Sequence, residues 1–383
     1  GAIAIGGPGA VFWMWVMAVI GSASAFIEST LAQVYKTKDG KDFRGGPSYY
    51  MEKALGKRWM GVLFSVLLII CFAYGFNGLQ SYNMSSALEY YIPGYSESSY
   101  PMIVGLILAV GTGLIIFGGV HRIGFITSVM VPIMAGAYLL MGLFTIVTHL
   151  PQLPGIFAMI LSEAFDFQAI FGGMAGSAVV IGIKRGLFSN EAGMGSAPNA
   201  AASASVSHPA KQGMVQVISV FIDTLLICSA TAMMLLLSGV QGEAGVLDGI
   251  PFVQKAISAN VGTWGIHFIT ASIFAFAFSS LIGNYYYAES NILFIKNNKV
   301  LLFVFRCTCL LAVFLGAQAD FSLVWNLADI TMGCMAIVNI IAILLLGNIA
   351  LKVLKDYETQ KKAGKNPVFK AENVGIKNTD CWK

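Results

Sequence analysis

The sequence has few charged residues and no grouped metal ligands. Asp, Glu, Lys and Arg make up 11% of the 383 residues, whereas 57% are hydrophobic. Soluble domains carry about 25% charged residues, so this composition excludes an ordinary soluble protein. The four histidines, His121, His149, His208 and His267, are far apart in the sequence, which argues against a metalloenzyme. The composition therefore predicts a polytopic membrane protein.

Two other classes of membrane protein lack their usual signals. An enzyme within the membrane needs a nucleophile and a base, but Ser189 has no plausible His and base pattern near it. A channel is the closer alternative, yet neither a repeated filter motif nor a ring of charges is present. Cysteines lie mostly inside apolar runs and are interpreted as small core residues. A transporter is favoured, with the lipid bilayer as a partner and no nucleic acid.

Apolar runs of the length that crosses a bilayer, about 20 residues, recur along the chain. They cover Ala10–Val34, Trp59–Tyr90, Met102–Val120, Phe125–Val147, Gln168–Ile183, Met214–Leu237, Trp264–Phe294, Val300–Ala317 and Leu323–Leu351. We therefore expect an all-α protein with a single transmembrane domain over residues 1–351, with about nine spans. Residues 352–383 are polar and predict a solvated tail.

Basic residues alternate between the connections and indicate the orientation. The first connection carries Lys36, Lys38, Lys41, Arg44, Lys53, Lys57 and Arg58. The next, Tyr91 to Pro101, has no basic residue, and the pattern continues to a basic tail. Because positive loops face the cytoplasm, the first helix is expected to run inward and the C-terminus to be cytoplasmic.

The segment Lys184–Pro198 interrupts the apolar pattern with charges, three glycines and a proline. Glycine and proline make a continuous helix costly, so we expect an unwound stretch at membrane depth. Freed amides there suit a carboxylate, and freed carbonyls suit a cation. The alternative is that the helix ends at Ile183 and a cytoplasmic loop follows.

Four motifs carry a family resemblance. They are Gly6-Gly7-Pro8-Gly9-Ala10-Val11-Phe12-Trp13-Met14-Trp15, Gly45-Gly46-Pro47 before Tyr49-Tyr50, the Lys184–Pro198 block and Phe221-Ile222-Asp223-Thr224. Over essentially its whole length the chain resembles the alanine or glycine:cation symporters, also called sodium:alanine symporters, of the amino acid, polyamine and organocation superfamily. The resemblance implies a leucine-transporter-like fold of two inverted five-helix repeats in the plasma (inner) membrane, and a small amino acid bound centrally with Na⁺.

The start of the chain is expected to follow further membrane sequence. Gly1–Ile5 has the pattern of the last turns of a helix, and Gly6–Gly9 that of a tight turn. The resemblance implies that an N-terminal helix and most of the first repeat helix precede Gly1. Because half of the expected site would come from that segment, the chain by itself is predicted not to transport.

Five residues are predicted to bind the substrate. Phe188, Ser189 and Asn190 lie in the interrupted block, and Gln80 gives the Trp59–Tyr90 span a polar middle. The resemblance identifies Gln80 with the family's substrate-facing glutamine. Asn284 follows Ser280 by one helical turn and so shares its face. For Asn77 and Asn83, hydrogen bonds between helices are preferred.

Ser279 and Ser280 are the candidate ligands for Na⁺. Hydroxyl oxygens suit a hard cation. From the sequence alone, however, bonds to carbonyls of the same helix or a neighbouring one are favoured. The resemblance reverses that preference, since related transporters place hydroxyl residues of the eighth repeat helix at the sodium site.

Acidic residues in apolar runs are the remaining candidates, because charges in the membrane commonly mark ion or proton paths. They are Glu28, Asp223, Glu289 and Asp329. Glu28 and Glu289 lie near cytoplasmic ends, where snorkelling and structural pairing are expected. For Asp223 the first hypothesis is a pair with Lys184, Arg185 or Arg306, and the second is gating or cation coordination.

The predicted function is import of alanine or glycine coupled to Na⁺ by alternating access. Na⁺ binding would stabilise the substrate-competent state, and that difference in affinity supplies the coupling free energy. A proton-coupled transporter, or one of broader amino-acid specificity, is the alternative.

Overall fold

The computed structural model describes residues 1–40, 42–118, 120–166, 177–243 and 245–382, with the backbone alone for 120–127. Residues 168–176 of the predicted span Gln168–Ile183 therefore lie outside the described residues. The helices are α1 (Ala2–Gly6), α2 (Gly9–Val34), α3 (Pro47–Lys53), α4 (Arg58–Ile69), α5 (Asn77–Ser86), α6 (Tyr100–Ile116), α7 (Val120–Thr148), α8 (Leu153–Ala164), α9 (Ala178–Asn190), α10 (Ala197–Ser203), α11 (Pro209–Phe221), α12 (Ser229–Leu236), α13 (Gly249–Val261), α14 (Trp264–Ile295), α15 (Lys299–Gly316), α16 (Phe321–Lys362) and α17 (Ala371–Val374). Short 3₁₀ turns occupy Tyr95–Glu97 and Leu150–Gln152, and β1 (Thr37–Asp39) pairs antiparallel with β2 (Asp42–Arg44).

The apolar runs form the expected spanning helices. Within the described ranges, seven helical stretches are long and apolar enough to cross a membrane, and α6 is a shorter apolar helix of 17 residues. This confirms a mostly helical polytopic membrane protein. Leu114, Ile133 and Leu344 illustrate the exposed apolar side chains that a lipid-facing surface needs.

Two of the spans contain a π-helical segment in the middle, which the apolar pattern did not reveal. Ile70–Phe76 lies between α4 and α5, and Ile222–Cys228 lies between α11 and α12. A π-helix shifts the hydrogen-bond ladder by one residue and is frequent at functional sites. Both segments carry candidate site residues or their immediate neighbours.

Helix α2 packs against α8, α9, α10, α11 and α16. Small residues allow the close approach to α9: a Cβ added at Gly182 would lie 2.6 Å from the carbonyl oxygen of Ala10. Close backbone contact of this kind is the usual means of helix association in lipid. Residues of α2 therefore reach the interruption that follows α9.

Polar pairs between helices confirm two expectations. The Nδ2 of Asn77 on α5 donates to the sulfur of Cys309 on α15, at 3.2 Å. Arg306 Nη2 on α15 donates to Glu289 Oε1 on α14, at 3.0 Å, so Glu289 has the structural pair expected of it. These bonds satisfy groups that would be costly to leave unpaired in hydrocarbon.

Most residues of the C-terminal segment 352–382 are exposed, as a solvated tail requires, but a few of its side chains pack onto the helical body. Helix α16 continues past the predicted end at Leu351 to Lys362. Phe369 and Trp382 are buried, and Trp382 Nε1 donates to the carbonyl of Gln33 at the end of α2, at 2.7 Å. The aromatic side chains supply an apolar anchor that the high charge of the tail concealed.

His208 joins this segment to α11 and makes the contact sensitive to pH. Its Nδ1 accepts from the Ala210 amide at 3.2 Å, and its Nε2 donates to Asp356 at 3.1 Å. Burial lowers the pKa of His208, although Asp356 acts in the opposite direction and Lys211 in the same one. The neutral ring is therefore the form that fits.

We expect the protein to lose stability as the pH falls from about 6.5, the usual histidine pKa, towards the lowered pKa of His208. Above about 6.5 the contribution is constant, because neither the folded nor the unfolded state binds the proton. The measurement is the thermal unfolding midpoint of the purified protein at pH 7.5 and 5.5. His208→Asn keeps a capping oxygen and cannot titrate, so its midpoint should fall less; His149→Asn, outside this contact, should behave like the parent. An equal fall in parent and His208→Asn would contradict the prediction.

Candidate functional site

The helix is interrupted between α9 and α10, at residues 191–196. Glu191 has φ 56° in the left-handed region, and Gly193 and Gly195 both have φ 85°. The interruption was expected, but it begins seven residues later than the predicted Lys184, and the alternative end at Ile183 is also wrong. Lys184 to Asn190 are helical, and positive φ angles first occur at Glu191.

Phe188, Ser189 and Asn190 consequently lie on the last turn of α9 and not in an unwound strand. Their side chains, rather than their backbone groups, are available for contacts. The unwound stretch expected over Lys184–Pro198 therefore does not include these three residues, whose assignment to the substrate stays a prediction.

Glu28 on α2 holds the interruption in place. Its side chain is fully buried. Its Oε1 accepts from the Gly193 amide at 3.1 Å, and its Oε2 accepts from Asn339 Nδ2 on α16 at 2.7 Å. The same Asn339 nitrogen donates to the Gly193 carbonyl at 2.9 Å, and the Tyr50 hydroxyl donates to Asn339 Oδ1. Glu28 therefore has the structural role expected of it, although it is buried and does not reach the cytoplasmic surface.

These bonds occupy amides that were expected to hold a substrate carboxylate. The Gly193 amide is bound by Glu28, the Ala192 amide donates to Asn190 Oδ1 at 3.0 Å, and the Met194 amide donates to the Glu191 carbonyl at 3.3 Å. A carboxylate of the protein itself takes the place assigned to a ligand. Sequence reasoning missed Asn339, for which the signal was an amide within the apolar run Leu323–Leu351.

Helix α10 is fixed by a second buried network. Asn199 Nδ2 donates to the Gly195 carbonyl at 3.1 Å, and its Oδ1 accepts from Asn291 on α14 at 3.0 Å. Asn291 Oδ1 in turn accepts from Ser48 and Ser65, both at 2.9 Å. Fully bonded polar networks of this kind favour one arrangement of the surrounding helices.

Asp223 meets the end of α9 at the second π-helical segment. Its Oδ2 accepts from Ser189 at 2.5 Å and from Thr224 at 3.2 Å, and Asn190 Nδ2 donates to Thr224 Oγ1 at 3.1 Å. The structure thus brings together Ser189, Asn190 and Asp223. A pair between Asp223 and a basic residue was the wrong first hypothesis.

The basic residues named for that pair have other partners. Arg185 Nη2 donates to Asp329 Oδ2 at 2.8 Å, and Lys184 Nζ lies 3.9 Å from the same oxygen. Arg306 bonds Glu289 and the hydroxyl of Tyr285 on α14. In the described part of the chain, Asp223 is therefore held by hydroxyls.

An aromatic stack crosses the region beside α9. The Phe188 ring lies 4.9 Å from that of Phe76, at the end of the first π-helical segment, and 5.1 Å from that of Trp325 on α16. Gln80 follows Phe76 by one turn of α5 and is partly exposed. The stack therefore links Phe188 to the helix that carries Gln80.

The remaining candidates lie on α14, which packs against α5 and the first π-helical segment. Ser279 donates to the Phe276 carbonyl of its own helix at 2.8 Å. This is the bond within the helix that the sequence alone favoured. Ser280 is partly buried. Asn284 is buried, and its Nδ2 has no hydrogen-bond partner among the described residues. The site residues thus fall into an α9 group and an α5–α14 group.

Comparison with known proteins decides the family. The sequence model of the sodium:alanine symporter family matches residues 1–371. The chain belongs to this family. Members are symporters and not enzymes, so this sodium:alanine symporter family member is a multi-pass amino-acid transporter of the plasma membrane.

Relatives with transporter names agree with this family. The chain is 49% identical over 383 residues to the amino-acid carrier protein AlsT of Bacillus subtilis, covering all of this chain and 81% of the relative. It is 50% identical over 382 residues to the probable sodium/glutamine symporter GlnT of Bacillus subtilis, covering 100% and 79%. The sodium/alanine symporter AgcS of Methanococcus maripaludis is 36% identical over 369 residues, covering 95% and 81%.

Proposed function

We propose that the protein imports a small neutral amino acid, alanine or glycine, together with Na⁺ by alternating access. The observation that carries this proposal is the helix interruption at 191–196, flanked by Ser189, Asn190 and Asp223 within the membrane-spanning body. Discontinuous helices are the usual means by which transporters bind substrate and coupling ion at membrane depth. The inverted repeat and the cytoplasmic C-terminus belong to this proposal.

The substrate is assigned to the space between the two groups of site residues. Asn284 has a buried donor that no described residue accepts from, and such a donor costs about 1–3 kcal/mol unless a ligand accepts from it. Gln80 supplies a further amide. We place the Phe188 ring, which stacks with those of Phe76 and Trp325, at the edge of this site, where it would favour a small side chain such as that of alanine or glycine.

Na⁺ is assigned to Ser279 and Ser280, with Asp223 as a residue that couples the ion to the broken helix. The Ser279 hydroxyl donates to its own helix, so its oxygen can still offer a lone pair to a cation. Asp223 has a carboxylate held by hydroxyls, and it touches Ser189 on the helix that ends at the interruption. A change at Asp223 would therefore alter α9 directly.

The function is tested by uptake of labelled alanine into liposomes that contain the full-length gene product. An inward Na⁺ gradient, its replacement by K⁺, an inward proton gradient, and excess unlabelled glycine or glutamine are compared. Uptake that requires Na⁺, exceeds equilibrium and is blocked by glycine supports the proposal. Uptake driven by protons alone, or blocked better by glutamine, would favour the alternative; glutamine is included because one relative is named for it.

For Asp223→Asn we expect the Na⁺ concentration for half-maximal uptake to rise about tenfold. The reason is the loss of one charge-assisted contact, which contributes about 1.4 kcal/mol. The measurement is alanine uptake as a function of Na⁺ concentration at saturating alanine. Cys228→Ala is the control, because its sulfur also touches Ser189, at 3.0 Å, yet carries no charge. An unchanged Na⁺ dependence in Asp223→Asn would assign the carboxylate to structure alone.

A further inference from the structure

Residues 366–382, which follow α16, lie across the end of the molecule that is proposed to face the cytoplasm, and we call them the C-terminal strap. Near its start, the Phe369 amide donates to the carbonyl of Ser207, just before α11, at 2.9 Å, and the Ser207 hydroxyl donates to the Pro367 carbonyl at 3.0 Å. The buried Trp382 ring lies 5.5 Å from that of Phe369 and bonds the end of α2. These contacts hold the strap on α2 and α11.

The strap also contacts α3, through side chains that are more exposed. Lys53 Nζ donates to Asp380 Oδ2 at 2.7 Å, and Asn378 Nδ2 donates to the Lys53 carbonyl at 3.1 Å. The Asp380 side chain is 48% exposed and that of Lys53 18% exposed. Exposed ion pairs contribute little stability, so this contact can break without disturbing the buried one.

The two contacts of the strap belong to different groups of helices. Helix α2 packs against α9, α10 and α11, whereas α4 and α5 pack against α14. Helix α3 belongs to the second group, because it packs against α4 and its Ser48 donates to Asn291 on α14. Secondary transporters change access largely by rocking one group of helices against another. The strap is bonded to both groups.

Through Lys36 the strap also reaches the helix that follows the interruption. Lys36 is 2% exposed, and its Nζ donates to the Ala204 carbonyl at the end of α10, at 2.9 Å. The same nitrogen lies 5.0 Å from the Trp382 ring centroid and 3.9 Å from that of Phe43. A cation is favourable at the C-terminal end of a helix. The strap thus helps to enclose the lysine that holds α10.

The loop before α3 covers α10 on this side. A Cβ added at Gly45 would lie 2.7 Å from the Cβ of Ala202 on α10, so the backbone of the loop touches that helix. A path from the interruption at 191–196 to the cytoplasmic side therefore requires α3 and its loop to move away from α10. Because the strap is bonded on both sides of this boundary, the movement has to break one of its contacts.

We propose that the C-terminal strap holds the cytoplasmic side of the transporter closed, and that its contact with α3 opens and closes in each transport cycle. This rests on the proposed function. The strap stays on α2 and α11, where its contacts are buried, and leaves Lys53, where they are exposed. Its release then frees α3 to move and uncovers α10.

Cross-linking Lys53→Cys to Asp380→Cys tests the proposal. The full-length gene product, with Cys381→Ser to remove the neighbouring thiol, is treated with a short bifunctional methanethiosulfonate before reconstitution. We expect the initial rate of alanine uptake to fall about tenfold or more, because a step that gates access limits turnover. Reductant should restore the rate measured before treatment, and the cross-linked protein should still bind labelled alanine.

A second ion pair on the same face supplies the matched control. Arg58 Nη1 lies 2.6 Å from Glu52 Oε1, and both residues belong to the α3–α4 group. Cross-linking Glu52→Cys to Arg58→Cys in the same background should leave uptake unchanged, because no contact between the groups is fixed. Full uptake by the protein cross-linked between positions 53 and 380 would overturn the proposal, since a purely structural contact can be made permanent without loss. Failure of these two cysteines to cross-link would overturn it as well.

Failure of the strap and failure of the proposed function are distinguishable. Uptake by the parent that persists in full after cross-linking leaves the proposed function standing and removes the strap alone. If the parent shows no Na⁺-driven alanine uptake, the proposed function is wrong, and the same cross-linked protein is assayed with the proton gradient or with labelled glutamine. Loss of that uptake, restored by reductant, would support the strap.

Discussion

Glu28→Ala is expected to abolish alanine uptake and to lower the free energy of unfolding by about 3–5 kcal/mol. The substitution leaves the Gly193 amide and one donor of Asn339 without their acceptor in a fully buried place. It also removes the bond that holds the segment 191–196 between α9 and α10, so that Ser189 and Asn190 lose a fixed position. Uptake assays and the thermal unfolding midpoint in detergent measure the two effects.

Glu28→Gln gives the intermediate case. One amide oxygen can still accept from Gly193, but the new NH₂ group would face the NH₂ group of Asn339, and two donors cannot bond each other. Ser24→Ala is the control, since Ser24 lies one turn earlier on α2 near Gly193 but bonds the Gly21 carbonyl of its own helix. A stable and active Glu28→Ala protein would show that the interruption does not depend on this carboxylate.

Gly195→Ala is expected to lower the free energy of unfolding by about 3 kcal/mol and to reduce uptake severely. Two costs combine. A residue with a Cβ is strained at φ 85°. The added carbon would also lie 2.8 Å from Cγ of Asn339 and 2.8 Å from the Phe64 ring, in a region where neither neighbour is free to move.

Gly333→Ala on α16 is the matched control for this substitution. A Cβ there meets nothing within 4 Å, and its helical conformation suits alanine, so the variant should be as stable as the parent or up to about 1 kcal/mol more stable. Thermal unfolding compares the pair. Similar midpoints for Gly195→Ala and the parent would mean that the left-handed conformation is not required.

The position of the interruption could be predicted only approximately from residue types. Gly193 and Gly195 marked a helix break correctly, whereas Lys184 and Arg185 are charged without being unwound. Asp329 on α16 lies within ion-pair distance of both side chains. The π-helical segments were missed because a hydrogen-bond shift of one residue leaves an apolar pattern unchanged.

Candidate residues were predicted better than their partners. Asp223 stood out as an acidic residue in an apolar run and Ser189 as a residue of the interrupted block, and the structure joins them. The amides at the interruption were expected to receive a ligand, but Glu28 occupies the one at Gly193. A sequence shows that a buried donor needs an acceptor, but the packing of the helices decides which acceptor reaches it.

By itself, the sequence determined the class of the protein, most of its spans and its family, because a bilayer imposes a local requirement on runs of about 20 residues. Only the tertiary structure decided the contacts that make a site. Glu28 meets Gly193 across 165 positions of sequence and Asn339 across 311. Contacts over such separations follow from which helix faces pack together, and no local pattern records that choice.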